Sequence, residues 1–361
     1  MIGHLKRLDW ILITSSLLLA GIGLLSIFSS SMGRGDFSNF SKQLVFIGVG
    51  LGIMLLLSFI DYRLIRNDPY LILFLYGTGV IALLGLLLFA PEIRGVRGWY
   101  RIGEITIDPI EYIKIVLVIL LARYFASRHV EVYRLRNIIF SAIYFIPPIL
   151  LIFLQPDLGA SVLLLILWVV MLLVAGMKLK HFFALVVAGL LVFSLGWTLV
   201  LQDYQKDRLM SFVEPELDPL GTGWSQMQSR IAIGSGGLLG QGIGGGTQTQ
   251  YGFLSEPQTD FIFAAIAEEF GLVGIILIFF LLLLIVWRII KIGLESETNF
   301  ARLFAAGFAT LFIVEATINI GMNLGFLPII GLPLPFVSYG GSIIIMTSIG
   351  FGILQSIKAH S

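Results

Sequence analysis

The sequence predicts an all-α polytopic membrane protein with about ten transmembrane helices. Hydrophobic residues make up 57% of the 361 residues and charged residues only 12%, whereas soluble domains carry about 25% charged residues. The mean hydropathy is +0.97. Apolar runs long enough to cross a bilayer, for which about 20 residues are needed, recur along the whole chain. The bilayer is therefore the expected solvent of this protein.

Ten apolar runs are the predicted spans. The fourth run contains Glu111 and Lys114, and the fifth is interrupted by Pro147 and Pro148, a pair that removes backbone donors and is expected to kink a helix. We expect one integral membrane domain over residues 1–361. The runs lie at residues 10–30, 42–60, 70–90, 110–127, 136–154, 160–177, 181–201, 261–287, 303–326 and 336–356.

The distribution of Lys and Arg predicts the orientation of these spans. With the N-terminus in the cytoplasm, basic residues such as Lys6, Arg63, Arg128 and Arg288 fall in cytoplasmic segments, as the positive-inside rule requires. Both termini are then cytoplasmic, and a long polar loop at about 202–259 lies outside, between the seventh and eighth helices. Because loops longer than about 15 residues are usually functional or disordered, chemistry is expected to face outward.

Composition also excludes several classes of function. The chain has no cysteine, so disulfides, thiol catalysis and cysteine-based zinc sites are excluded. The four histidines are scattered without metal-ligand spacing. The net charge is +1, and without a polybasic block no nucleic-acid partner is expected.

A glycine-rich stretch, "GSGGLLGQGIGGG", lies within the long loop at 234–246. Part of it satisfies G-x-G-x-x-G, but no buried strand precedes it and no acidic ribose partner follows in a βαβ unit, so it is not a dinucleotide fingerprint. The Gly-Lys-Ser/Thr of a P-loop is absent as well. Two interpretations stay open: a flexible hinge, and a backbone cradle for a phosphate of the outer leaflet.

The stretch "IDPIEYIK" places a charged pair at the start of the fourth span. Asp108 and Pro109 suit the N-cap and first helical positions, and Glu111 falls where a capping box has its acid. Glu111 and Lys114 are spaced i, i+3, so they share one helix face and can pair. A charge pair inside a span is costly and normally faces the protein interior or a wet cavity. A structural pair and the lining of a substrate cavity are both open.

The stretch "SEPQTDFIFAAIAEEFG" begins the eighth span with four carboxylates. We expect Thr259 to cap this helix and Asp260, in its first turn, to complement the helix dipole. Glu268 and Glu269 follow about 12–14 Å further along, at 1.5 Å per residue. Because an isolated buried carboxylate costs several kcal/mol, at least one of these two needs a buried partner or a water-lined cavity. Since both lie deep in the span, we expect buried helix–helix partners. Glu256 is expected to support Asp260 from the loop.

Four segments of the chain together form a highly specific pattern. They are "LQPDLGAS" (154–161), "GTGWSQMQSRIAIGSGGLLGQGIGGGTQ" (221–248), "EPQTDFIFAAIAEEFG" (256–271) and "NIGMNLGFLPIIGLPLPFVSYGGS" (319–342). In this order they resemble the signature segments of the SEDS family (shape, elongation, division and sporulation), and the resemblance extends over most of the chain. It implies a ten-helix membrane glycosyltransferase.

The resemblance also implies roles for single residues. Asp260 matches the essential acid of the family, and Glu111 and Lys114 match the acid and the lysine of its Q-P-S-E-x-x-K segment. Arg208 corresponds to the basic residue after the seventh helix. Glu256 is retained, although "SEP" departs from the usual Pro-Glu order. Asp260 is therefore the expected general base, and the other residues are expected to bind substrate or support the site.

The implied activity is polymerisation of lipid II into β-1,4 glycan strands at the outer face of the bacterial cytoplasmic (inner) membrane. A class B penicillin-binding protein transpeptidase and other membrane proteins of the elongation complex are the implied partners, because the strands leave uncrosslinked. The short termini resemble elongation members, with the division member as the alternative. In this reaction the donor sugar leaves undecaprenyl pyrophosphate, whose negative charge must be offset. Basic side chains or a divalent cation, Mg²⁺ or Mn²⁺, are the alternatives for this role. A lipid II flippase is the other function left open.

Overall fold

The computed structural model describes residues 2–91, 98–103, 105–128, 135–199, 206, 210, 212 and 221–360, and within them every predicted span overlaps a helix. Residues 200 and 201, the end of the seventh predicted span, lie outside the described residues. The helices of this part of the chain are α1 (Ile2–Leu5), α2 (Trp10–Arg34), α3 (Ser38–Phe59), α4 (Tyr62–Asn67), α5 (Pro69–Phe89), α6 (Pro109–Ser127), α7 (Leu135–Leu154), α8 (Leu158–Val174), α9 (Leu179–Leu199), α10 (Thr222–Ser235), α11 (Thr247–Gln250), α12 (Ile262–Glu295), α13 (Asn299–Leu324) and α14 (Gly341–His360).

Length and hydropathy support a multi-pass membrane protein. Within the described residues, eight helices are long and apolar enough to cross a membrane: α2, α3, α5, α7, α9, α12, α13 and α14. α8 is a shorter apolar helix of 17 residues, which is about 26 Å at 1.5 Å per residue and close to the hydrocarbon thickness. α6 has 19 residues and carries Glu111 and Lys114. The predicted fold class is confirmed.

Two short strands precede α6. β1 (Tyr100–Ile102) and β2 (Ile105–Ile107) pair antiparallel, with Tyr100 opposite Ile107. The hydroxyl of Tyr100 donates to the carbonyl oxygen of Ala82 at 2.8 Å, which attaches the hairpin to α5. The chain then enters α6, where the Asp108 side chain accepts from the amide of Ile110 at 2.8 Å. Asp108 is thus the N-cap predicted for this helix.

The core of the bundle surrounds α13, which packs against α6, α8 and α12, while α14 packs against α3. In the most apolar 18-residue window of α13, 72% of the residues are buried. Phe300, Phe304 and Phe308 stack along this helix, and Phe308 meets Phe351 of α14 edge-on. By contrast, none of residues 179–198 of α9 is buried. Side chains on α13 are therefore well placed to reach several neighbouring helices.

Both termini lie at the same end of the bundle, which we call the terminal end. The Arg288 guanidinium donates to both oxygens of the Asp9 carboxylate, and the Asp9 backbone exchanges hydrogen bonds with the Gln355 side chain at 2.8 and 3.0 Å. The rings of His4 and His360 are 5.6 Å apart. We call the opposite end, where residues 221–261 lie, the loop end.

Part of the predicted long loop is folded against the bundle. α10 packs on α12 and α13, and α11 packs on α2 and α12. The segment 221–261 is therefore not an open polar loop, because its helices and the glycine-rich stretch between them contact the membrane helices directly. Most of the residues between 200 and 220 lie outside the described part of the chain.

Candidate active site

Asp260 lies in a tight turn immediately before α12, at the loop end. The carbonyl oxygen of Glu256 accepts from the amides of Thr259 and Phe261, at 3.2 Å each, and Glu256 has a positive φ of 45°. α12 begins at Ile262, with Phe261 as its N-cap and no capping side chain. The expectation that Thr259 caps this helix and that Asp260 lies in its first turn is therefore wrong. The turn continues for two residues beyond Thr259 and carries Asp260 in front of the helix.

Two asparagines of α13 hold this turn against the bundle. The side-chain amides of Asn319 and Asn323 donate to the carbonyl oxygen of Asp260, at 3.1 and 2.9 Å. The side-chain oxygen of Asn323 also accepts from the amide of Ala264, at 3.1 Å, within the first turn of α12. Both asparagines are fully buried. Sequence reasoning missed them, although their i, i+4 spacing in an apolar helix was a usable signal.

We expect Asn323→Ala to lower the free energy of unfolding by about 1–3 kcal/mol, because buried backbone groups lose a hydrogen-bond partner. The measurement is thermal unfolding of the purified protein in detergent. Asn67→Ala is the control: Asn67 is exposed at the terminal end, and exposed substitutions usually stay within about 0.5 kcal/mol. Equal melting of Asn323→Ala and the unaltered protein would show that these hydrogen bonds contribute nothing.

The non-helical segment 325–340, between α13 and α14, covers the same turn. The Ser338 hydroxyl donates to the carbonyl oxygen of Thr259 at 2.7 Å. On the carboxylate side, a Cβ placed at Gly331 would lie 3.8 Å from Oδ2 of Asp260. Gly331 has a φ of +71°, which favours glycine. On the side of Gly331, the Asp260 carboxylate therefore faces backbone and not a side chain.

Glu111 and Lys114 form a buried charged cluster with a third residue, Glu315 of α13. The Lys114 Nζ lies 2.6 Å from Glu111 Oε1 and 2.5 Å from Glu315 Oε1. All three side chains are at most 10% exposed. The i, i+3 pair expected from the sequence is thus present. Glu315 was not predicted, because it is 201 residues from Lys114 and local spacing says nothing about such a contact.

The charged cluster and the Asp260 turn share one helix of the bundle. Glu315, Asn319 and Asn323 follow one another at i, i+4 and i+8 on α13, so their side chains project along one face. At 1.5 Å per residue, Glu315 lies about 6 Å further from the loop end than Asn319. One face of α13 therefore binds Lys114 through Glu315 and, about one helical turn away, binds the backbone of Asp260 through its two asparagines.

Glu268 and Glu269 are both buried and take different partners. The Glu268 carboxylate accepts from the amides of Gln248 and Thr249, at 2.7 and 3.1 Å, and from the Thr249 hydroxyl at 2.8 Å. Glu269 accepts from the Ser29 hydroxyl of α2. Both acids thus contact other helices, as expected. The partner of Glu268 is α11, which lies in the stretch predicted as loop.

The structure assigns no place to two of the predicted features, Arg208 and the divalent cation. Arg208 lies outside the described residues. Among the residues that are described, no group of three or more His, Asp and Glu side chains is placed to hold a metal ion. The divalent cation therefore stays a prediction, with no ligand set assigned to it.

The fold is that of a polytopic membrane protein. Ionisable residues buried inside its helical bundle, at Glu111, Lys114 and Glu315, lie about one helical turn from the Asp260 turn at one end, and such residues usually mark a functional site. Comparison with known proteins then gives the family. The family model FTSW_RODA_SPOVE, described as "Cell cycle protein", matches residues 9–361. The chain belongs to this FtsW/RodA/SpoVE family, which is the SEDS family that the sequence resembles.

Named relatives and solved structures agree with this assignment. "Peptidoglycan glycosyltransferase MrdB" of Escherichia coli (strain K12) is 38% identical over 326 residues, covering 90% of this chain and 87% of the relative. "Stage V sporulation protein E" of Bacillus subtilis (strain 168) is 33% identical over 370 residues, covering 98% and 97%. The predicted enzyme class is confirmed: the chain is a peptidoglycan glycosyltransferase.

Two solved structures share the whole fold. One is described as "Structural coordination of polymerization and crosslinking by a peptidoglycan synthase complex"; it is 29% identical, has a TM-score of 0.84 and covers 97% of both chains. The crystal structure of the rod shape determining protein RodA of Thermus thermophilus is 27% identical, has a TM-score of 0.72 and covers 97% of this chain and 96% of that one.

Proposed function

We propose that the chain polymerises lipid II into β-1,4-linked glycan strands and that Asp260 is the general base. The observation that carries this proposal is the fixed turn at the loop end. Asn319 and Asn323 hold Asp260 through its own carbonyl oxygen, and the glycine backbone at Gly331 lies beside the carboxylate. A base must stay within hydrogen-bond reach of the proton that it removes, and a turn held by its backbone supports this role because it fixes where the carboxylate lies.

The proposed reaction is a single inverting displacement. Asp260 takes the proton from the 4-hydroxyl of the acceptor N-acetylglucosamine as that oxygen forms a bond to the anomeric carbon of the donor sugar. The bond from this carbon to undecaprenyl pyrophosphate breaks, and the pyrophosphate leaves with the electron pair. Inversion turns the α-linked donor into a β-1,4 product. One base and one site for the leaving group are sufficient for this chemistry.

The charge of the leaving pyrophosphate needs a cation. The ammonium of Lys114 already has two carboxylate partners and its side chain is 3% exposed, which favours a structural role for this residue. We therefore propose that the charge of the pyrophosphate is offset by Arg208, on the basis of the family resemblance, or by a divalent cation. Glu111 and Glu315 then serve to keep Lys114 in place beneath the turn.

The membrane sidedness is part of the same proposal. We infer that the terminal end is cytoplasmic and that the loop end, with Asp260, faces outward, because basic residues concentrate in the segments that this orientation places inside. Both termini lie together at the terminal end, as an even number of spans requires. Lipid II would then meet the site from the outer leaflet.

The elongation role and the partner rest on similarity. The E. coli relative MrdB is 38% identical, and relatives named FtsW are 33–38% identical, so identity does not separate elongation from division. The similarity to a solved rod shape determining protein is what supports elongation. A similar solved structure is described as part of a peptidoglycan synthase complex that coordinates polymerization and crosslinking. This supports a class B penicillin-binding protein as the partner of this chain.

The decisive experiment places the purified protein in proteoliposomes with fluorescent lipid II. Glycan polymer is measured on gels, and translocation is measured by the fraction of label that an external quencher reaches. We expect polymer without accelerated translocation. Accelerated translocation without polymer would replace the proposal by a flippase. The same assay with a chelator, and with the partner transpeptidase added, tests the cation and the partner.

A further inference from the structure

The helical hydrogen bonding of α12 is interrupted at Gly271, near its loop end, and the glycine-rich stretch 234–246 supplies hydrogen-bond partners for the backbone groups there. Gly271 has non-helical angles, φ 62° and ψ −157°, so backbone groups on both sides lose their helical partners. The amide of Leu272 donates instead to the carbonyl oxygen of Gly237 at 3.0 Å, and the amide of Gln241 donates to the carbonyl oxygen of Glu268 at 3.0 Å. Exposed backbone groups inside a membrane are tolerated only when other protein groups satisfy them.

The glycines of this stretch are required by the close approach of two backbones. A Cβ at Gly236 would lie 2.0 Å from the carbonyl oxygen of Ala267, and one at Gly240 would lie 2.1 Å from that of Glu269. Both distances are impossible for a real side chain. The stretch is therefore neither an open hinge nor an open cradle in this structure, because its backbone is packed on α12.

Glu268, which lies in α12 before Gly271, binds the residues that follow the glycine-rich stretch. Its carboxylate is completely buried and is stabilised by the amides of Gln248 and Thr249 and by the Thr249 hydroxyl. Hydrogen bonds to an ionised group are about twice as strong as neutral ones. Gly246 also contacts the carboxylate closely, since a Cβ there would lie 2.6 Å from Oε2. This carboxylate is thus enclosed by the segment that it binds.

These contacts isolate a short half-helix, residues 262–270, which is held at both ends. Asn323 binds its first turn through the amide of Ala264, and the segment 236–249 binds its last turn. Asp260 lies two residues before this half-helix. We propose that Glu268 is a positioning residue: by anchoring the folded-back segment 236–249, it sets the position of Asp260. This inference rests on the proposed role of Asp260 as the base.

The test compares three variants. Glu268→Gln replaces one accepting oxygen by an NH₂ group that faces donors, and Gly246→Ala pushes a methyl group against the carboxylate. The φ of Gly246 is −66°, so alanine introduces no backbone strain there. Gly234→Ala is the matched control, because a Cβ at Gly234 meets nothing within 4 Å. We expect the first two to lower kcat about 10–100-fold with KM nearly unchanged, since a displacement of about 1 Å can cost 10²-fold.

A cross-link that does not depend on activity reports the relative position of the two stretches that flank the segment 236–249. The hydroxyls of Ser225 on α10 and Ser255 beside the turn are 2.9 Å apart, and the chain has no cysteine of its own. In the Ser225→Cys/Ser255→Cys background, we expect Glu268→Gln and Gly246→Ala to form the disulfide more slowly than Gly234→Ala.

Each outcome decides the inference. An unaltered kcat in Gly246→Ala and Glu268→Gln overturns it, and so does a lowered kcat with unaltered cross-linking. If cross-linking slows as expected but Asp260→Asn keeps full activity, the anchoring by Glu268 stands and the assignment of Asp260 as base is what fails.

Discussion

Asp260→Asn is expected to lower the rate of lipid II polymerisation by about 10²–10⁴-fold, the usual contribution of a general base. Asparagine has almost the same shape as aspartate but cannot accept the proton. The backbone carbonyl that Asn319 and Asn323 bind is unchanged by this substitution, so the turn should keep its position. The measurement is the initial rate of polymer formation by the purified variant.

Asp36→Asn provides the matched control for this experiment. Asp36 is an exposed acid at the same end of the bundle, where it accepts a hydrogen bond from the amide of Ser38 at 2.9 Å. Its variant should polymerise at the unaltered rate. Both variants should melt close to the unaltered protein. Polymerisation by folded Asp260→Asn within about fivefold of the unaltered rate would remove this residue from the role of base, because a general base typically contributes about 10²–10⁴-fold.

Lys114→Met is expected to have the largest effect on stability, about 3–5 kcal/mol. The substitution leaves the carboxylates of Glu111 and Glu315 buried together without their cation, and removal of one partner from a buried ion pair typically costs that much. Thermal unfolding in detergent measures the loss. Replacing all three charges, in Lys114→Met/Glu111→Gln/Glu315→Gln, should restore most of the stability, because no uncompensated charge then remains.

Lys291→Met is the control for the effect of removing a lysine. Lys291 pairs with Glu295 at 3.7 Å, and its side chain is 41% exposed. Exposed pairs contribute about 0–1 kcal/mol, so this variant should melt almost as the unaltered protein does. If Lys114→Met and Lys291→Met lose the same stability, the buried cluster is not the strong interaction that its geometry indicates.

Much of the membrane architecture could be predicted because hydropathy is a property of consecutive residues. Within the described residues, each of the ten apolar runs overlaps a helix, although the bounds differ by several residues at some ends. The last span illustrates this: the sequence predicted residues 336–356, whereas α14 begins at Gly341. The preceding residues are apolar enough for a span, but Ser338 is engaged with the Asp260 turn through Thr259.

The candidate site could be predicted only in part. Asp260, Glu111 and Lys114 stood out because an ionisable residue in an apolar sequence is costly. Glu315 shows the same cost, yet nothing near it in the sequence indicates Lys114 as its partner. The glycine-rich stretch was expected to be a hinge or a phosphate cradle. Its actual partner, the broken backbone at Gly271, could not be inferred from glycine content.

The sequence by itself determined the class of membrane protein, the positions of the spans and the residue types available for chemistry, because each depends on neighbouring residues only. The tertiary structure alone decided which buried polar groups meet. Lys114 and Glu315 are 201 residues apart, and Asp260 and Asn319 are 59 apart. Such contacts depend on which helices are neighbours, and in a low-dielectric interior each buried polar group must find its partner there.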